Sequence, residues 1–232
     1  MVLVRSRNPL NIGAAARAMS NFGFARLRVV NPHDAGFREA QSAVGAEELL
    51  KNAEEFGSVA DAVADCSLVV GTTAVGQREI VHPLLRLEQG GRVLRELLGE
   101  GNAALLFGSE KHGLSRDDLS HCHWLMRIPT RGEQLSMNLG QAVAVCLYEL
   151  VREGGADASI TTKEPATSGD LERMTQTLAE ALSASGYVKA GADASTLDKA
   201  RRLIRRMGLD AEDAKTWTGM LAKMLIKMRA GK

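Results

Sequence analysis

Residues 8–17 read NPLNIGAAAR, residues 106–110 read LFGSE, and residues 128–138 read IPTRGEQLSMN. Each stretch stands where an apolar run of strand length gives way to a loop or a helical pattern. The runs at 2–4, 27–30, 67–70, 103–107 and 124–128 are short, bounded by polar residues or glycine, and not strictly alternating, as strands buried on both faces are. Helical spacing fills the intervals near 12–22, 45–55, 58–65, 90–98, 115–121 and 138–153, with Asn11 and Asn138 placed to cap the first and last of these helices. This alternation predicts an α/β unit over residues 1–153, a mostly parallel sheet flanked by helices.

Beyond it the pattern dissolves. Residues 154–169 are rich in Gly, Ala, Ser and Thr and have little to bury, which predicts a linker. Residues 170–232 return to helical spacing, with helices expected over 170–185, 195–207 and 211–229. The result is a small all-helical extension, which the linker would let swing onto a large substrate. Met220, Met224 and Met228 recur at four-residue spacing and read as a packing stripe.

Composition excludes little: 45% hydrophobic, 25% charged and a net charge of +1 describe an ordinary globular chain. The placing of charge says more. Residues 1–38 hold six Arg against Asp34 alone, and residues 199–232 hold ten Lys and Arg against three acids, so both ends are expected to offer positive surface to phosphate. No apolar run reaches 18 residues and the start is too short for a signal peptide, so no membrane partner is expected and the cytoplasm is the expected compartment. Cys66, Cys122 and Cys146 share no metal-like spacing and read as reduced packing thiols. His121-Cys122-His123 has no second ligand pair at metal spacing, and no metal is expected.

Two phosphate-binding look-alikes fail on inspection. From Gly108 to Ser115 the spacing mimics a P-loop, but Leu114 occupies the lysine position. Residues 99–104 mimic a dinucleotide fingerprint, yet they precede a strand instead of opening a helix. What remains is a glycine, Gly108, at the carboxyl end of a strand, where open α/β sheets bind ligands. In the first block, Gly13 and its alanines leave backbone uncovered near a helix start, open to a phosphate or another chain. A plainer reading packs those alanines on the sheet and leaves Arg17 on the surface. Ser136 and Asn138 can likewise serve as simple helix caps.

In this order, the three blocks resemble the motifs of the SPOUT class of RNA methyltransferases, and the first resembles its ribose 2′-O-methylating branch. The resemblance implies a C-terminal trefoil knot, S-adenosyl-L-methionine as methyl donor, and a homodimer whose interface, suggested by the alanine face at residues 14–18, brings Arg17 near the reaction centre. By the same resemblance Arg17, Asn11, Glu110, Ser136 and Asn138 form the catalytic group. Thr72, Thr73, Ala74, Gly108, Ile128, Leu135, Ser136 and Met137 surround the cofactor. The tail is similar to the extension of members that methylate the tRNA anticodon loop, which implies tRNA as substrate, probable nucleotide 32, and RNA contacts from Arg5, Arg7, Arg201, Arg202, Arg205 and Arg206. Other RNAs, such as rRNA or position 18 of tRNA, and a non-catalytic RNA-binding role on the same fold, are the alternatives.

Overall fold

The computed structural model describes residues 1–74, 80–97, 101–131, 136–152, 164–188 and 192–230. Seven strands form one sheet: β1 (Val2–Val4), β2 (Arg28–Val30), β3 (Glu54–Phe56), β4 (Leu68–Thr72), β5 (Leu84–Arg86), β6 (Ala103–Phe107) and β7 (Trp124–Arg127). Their order is β3-β2-β1-β6-β4-β7-β5, and every pairing is parallel. Successive side chains face opposite ways. Leu3, Val29, Val70, Leu105, Phe107 and Met126 enter one core with α1 (Pro9–Asn21), α4 (Leu87–Leu97) and α6 (Leu139–Val151). Val4, Val30, Val69, Leu106 and Leu125 enter the other, beneath α3 (Val59–Ala62) and the residues flanking α5 (Arg116–Ser120).

The two strands the sequence pattern missed, β3 and β5, are the sheet's edges. Each is three residues long, and β3 is Glu-Glu-Phe, too short and too polar to stand out from the helix expected at 45–55, which is confined to α2 (Glu47–Lys51). The glutamates of β3 answer arginines: Arg26 Nε donates to Glu54 at 3.0 Å and Arg38 Nη1 to Glu55 at 3.1 Å. Arg28 is buried in β2, paired with Asp65 and lying over the Phe56 ring. Much of the positive charge counted at the N-terminus is therefore neutralised within the fold.

The first helix begins earlier than expected. Pro9 stands at its first turn and Asn8, not Asn11, is its cap, accepting from Leu10 N–H at 2.9 Å. Asn11 is thereby a helical residue with its side chain free for other work. The alanine-rich face is also not an interchain surface: Ala15, Ala16 and Ala18 are buried, and a Cβ on Gly140 of α6 would lie 2.7 Å from Ala14 Cβ. Small residues let α1 and α6 pack closely within one chain. Gly13 likewise abuts Ser42 and Ala43 of its own chain.

Helices α7 (Ser168–Ala184), α8 (Asp193–Arg205) and α9 (Ala211–Ala230) gather around Leu171, Met174, Ile204, Ala214 and Leu221. This unit is seated on the sheet domain. Ser168 N–H donates to Cys66 O at 2.6 Å and Gly169 N–H to Ala64 O at 2.8 Å, so the expected linker is already ordered helix start at 168–169. On α9, Leu221 and Leu225 do the packing, whereas Met220 and Met224 are exposed, contrary to the stripe expected from their spacing.

Candidate active site

Strands β6, β4 and β7 are adjacent, so the loops at their carboxyl ends meet. Together they bound a cleft of about 360 Å³, within the size range of small-molecule sites. Thr72, Thr73 and Ala74 come from the end of β4, Gly108 and Glu110 follow β6, Ile128 follows β7, and Ser136 and Met137 precede α6. Thr72 Oγ1 donates to Leu106 O at 2.8 Å and Thr73 N–H to Met126 O at 3.0 Å, tying the three strand ends together. Phe107, Leu114, Met126, Leu139 and Ala142 supply apolar walls. Every residue expected around a cofactor lines this cleft except Leu135, which lies outside the described residues. Lys111, His112 and Thr130 line it too. The sequence reading did not count them as site residues, although the first two directly follow the GSE motif.

Gly108 has a different reason for being glycine than close approach to a ligand. A Cβ there would lie 2.0 Å from the Gly113 carbonyl carbon and 2.1 Å from Leu114 N, because the loop turns back on itself through Gly113 N–H to Ser109 O at 2.8 Å. Any side chain would collide with backbone.

Beside the cleft, three polar side chains form a relay. Asn11 Nδ2 donates to Glu110 Oε1 at 2.8 Å, and Asn138 Nδ2 donates to Asn11 Oδ1 at 3.0 Å. Asn138 Oδ1 meanwhile caps α6, accepting from Gly140 N–H at 3.0 Å. Glu110 also accepts from the amides of Arg7 at 3.0 Å and Asn8 at 3.3 Å. Burial pushes its carboxyl up, but the hydrogen bonds from Asn11 and these amides prevail and hold it below the usual range, as a carboxylate. The relay fixes the start of α1 to the loop after β6 and the start of α6.

Arg17 is not part of it. It is exposed on α1, does not line the cleft, and makes no ion pair among the described residues. Arg7 is exposed and similarly unpaired, while Arg5 is committed to a fork on Asp118, a buried carboxylate that also closes the capping box of α5.

The tail arginines divide sharply. Arg201 Nε and Nη2 each donate to Glu172 at 3.0 Å and Nη1 to Ser120 Oγ at 2.9 Å; Arg205 Nε donates to the His121 carbonyl at 3.0 Å. Both are buried, at 5% and 2% exposure, and hold the tail on α5, so the expectation that they contact RNA is overturned. A guanidinium already saturated and out of water is unavailable to a phosphate, and separating this clamp would strand its charges, so the expectation of a swinging module fails with it. Arg202 and Arg206 face outward, without ion pairs among the described residues. Their charges, together with burial, lower the pKa of His82 beside α5.

A family model described as the SpoU rRNA Methylase family matches residues 1–148. The chain belongs to that family. A relative from Sodalis glossinidius, named tRNA (cytidine/uridine-2′-O-)-methyltransferase TrmJ, is 34% identical over 97% of this chain and 90% of its own length. The TrmJ from Citrobacter koseri is 33% identical, over 97% of this chain and 95% of its own. The crystal structure of TrmJ from Zymomonas mobilis ZM4 superposes with a TM-score of 0.85 at 33% identity, covering 96% of this chain and 97% of that one. The match extends through the helical tail. As a SpoU-family protein the chain is an RNA methyltransferase, and its parallel seven-stranded sheet is that family's fold.

The cleft fits the family's S-adenosyl-L-methionine on its own features. Its apolar walls suit a purine face, and it is bounded by the loop main chain after β4, β6 and β7, which can serve the polar edges.

Proposed function

We propose that this protein transfers a methyl group from S-adenosyl-L-methionine to a ribose 2′-hydroxyl of tRNA, at nucleotide 32 of the anticodon loop, as a cytoplasmic homodimer. The observation that carries the reading is the convergence of three strand-end loops on one cleft beside the Glu110–Asn11–Asn138 relay, in a chain that matches TrmJ enzymes along its whole length.

The cofactor supplies an electrophilic methyl group; the protein must align the hydroxyl with it and ease loss of a proton from a poor acid. Ser136, exposed at the cleft, and Asn138 orient the ribose. Arg17 grips the adjoining phosphate and stabilises developing alkoxide, since its guanidinium stays protonated and is a poor base. Because Arg17 stands away from the cleft of its own chain, a second copy has to bring it there. Leu10, Tyr148 and Val151, exposed on α1 and α6, supply apolar surface for that contact. The trefoil knot belongs to the same reading, supported by the fold shared with the Zymomonas TrmJ.

Residues 1–153 form the catalytic domain, 154–169 the connection, and 170–232 the tRNA-binding extension, now with Arg202 and Arg206 as its exposed arginines and Arg7 as the free arginine of the N-terminal segment. Incubation with labelled cofactor and either tRNA or rRNA transcripts, followed by mapping, tests the assignment. Methylation at tRNA nucleotide 32 is the expected product. Product on rRNA or at position 18 moves the substrate, and no product on any RNA leaves the binding role. Ala142→Leu, which narrows the cleft without the backbone collision built into position 108, should weaken cofactor binding at least tenfold in a folded protein by calorimetry.

A further inference from the structure

At the opposite end of the sheet from the cleft, the amino ends of β4 and β7 and the seated tail enclose a second cavity of about 180 Å³. That is many times the roughly 10–15 Å³ that one water requires. Leu68 and Leu97 wall it from the catalytic unit, and Ala166, Leu171 and Leu209 from the tail side. Among its polar lining are His123 and Arg205.

Arg205 is underserved. Its side chain is 1% exposed, its Nε is spent on the His121 carbonyl, its Nη2 lies 3.4 Å from Glu172 Oε2, and its Nη1 has no partner. Glu172 is already gripped by both Nε and Nη2 of Arg201, so one carboxylate serves two guanidiniums. Arg201 has further help from Asp198 at 3.3 Å and Asp117 at 3.6 Å; no such second acid is paired with Arg205 among the described residues. His123 Nδ1 accepts from Val69 N–H at 3.0 Å, which places the proton of the neutral ring on Nε2 and makes that nitrogen a donor. A buried cation short of an acceptor, a neighbouring ring donor and apolar walls together define the complement of one ligand class.

We propose that this cavity binds a small organic monocarboxylate, its carboxylate on Arg205 Nη1 and its short carbon chain against Leu68 and Leu209. A phosphate dianion asks for more donors than these walls offer, and a neutral apolar guest leaves Nη1 unsatisfied. The site is separate from the methyl-transfer cleft, so its loss leaves the proposed function standing.

Thermal unfolding of the full chain, titrated with sodium acetate, propionate and butyrate against sodium chloride and phosphate at matched ionic strength, tests it. The expected result is a saturable rise in Tm with the organic carboxylates, largest for the longer two, and none specific to chloride or phosphate. Arg205→Met should abolish the response while Arg206→Met, at an exposed neighbour, keeps it. Should Arg205→Met fail to fold, Ala166→Leu decides, because it fills the cavity and leaves the guanidinium in place; it too should lose the response. No saturable rise, an equal rise with chloride, or a response that survives cavity filling overturns the proposal and leaves water as the occupant.

Discussion

On α1, Arg17 stands exposed with no ion pair among the described residues, while on α8 Arg201 and Arg205 are buried and share Glu172. Both helices are basic, and both were counted as surface for RNA. The difference lies in position along the helix, not in residue type. In α8, Leu197, Ala200, Arg201, Ile204 and Arg205 fall at i, i+3, i+4, i+7 and i+8, the spacing of a core-facing stripe, whereas Arg202 and Arg206 fall outside it. Arginines on the stripe join the tail to the catalytic unit. Arginines off the stripe are left for a partner.

The strongest way to break that distinction is to remove the shared acid. Glu172→Ala leaves two buried guanidiniums without their common partner, a change that costs about 3–5 kcal/mol in comparable settings. Urea unfolding followed by Trp217 fluorescence in a Trp124→Phe background should show the tail melting at lower denaturant than in the parent. An unchanged midpoint would mean the clamp does not hold the tail. Acid adds a second reading of the same pair. Burial pushes the Glu172 carboxyl up, but Arg201 and Arg205 hold it down at about 2. Its contribution is therefore complete above the unfolded value of about 4.5 and fades as pH falls towards 2, so the parent should lose more stability than Glu172→Ala across that window.

Arg17 should behave oppositely. Arg17→Ala touches no internal partner, so stability and cofactor affinity should stay near the parent, while methyl transfer falls by about a hundredfold or more, about 2.7 kcal/mol, the scale of losing one preorganised charge stabiliser. Calorimetry and single-turnover assays separate the two quantities. Collapse of cofactor affinity would make Arg17 a binding or structural residue. Light scattering bears on the same point: a fully active monomer at assay concentration would remove the reason for bringing Arg17 from a second copy.

How far all this was legible before the structure depends on which physical signal each feature leaves in the chain. The central strands were legible because burial on both faces writes an uninterrupted apolar run; the edge strands β3 and β5 were not, because an edge needs no such run. The cleft residues were legible by the resemblance and by their place after strands. That they meet depends on the order β6-β4-β7, which no local pattern encodes. Asn8 as the cap was readable, since Pro9 demands a cap one residue earlier, and the choice of Asn11 overlooked that rule. The Glu110–Asn11–Asn138 relay joins residues 99 and 127 positions apart, beyond any periodicity. On α9, four-residue spacing identified a face of the helix but could not say whether the core covers it, and Met220 and Met224 lie outside.

The smallest effect offers the sharpest separation of neighbours on one helix. Arg202 and Arg206 are exposed, lie close enough to His82 to lower its pKa, and have no internal acid to lose among the described residues. Replacing both with Gln should therefore leave unfolding curves unchanged and weaken tRNA binding modestly at low salt. The more telling readout is the slope of log affinity against log salt. Each phosphate contact contributes about 0.7–0.9 to that slope through released counterions, so losing two should flatten it by about 1.4–1.8. Arg201→Gln, by contrast, removes a residue that faces Glu172 and Ser120, and should lower stability while leaving the slope of the still-folded protein close to the parent's. A flattened slope for Arg201→Gln in a folded, seated tail, or an unchanged slope for the double Arg202 and Arg206 variant, would mean that RNA approaches the other side of α8 and that position relative to the buried stripe does not sort these arginines.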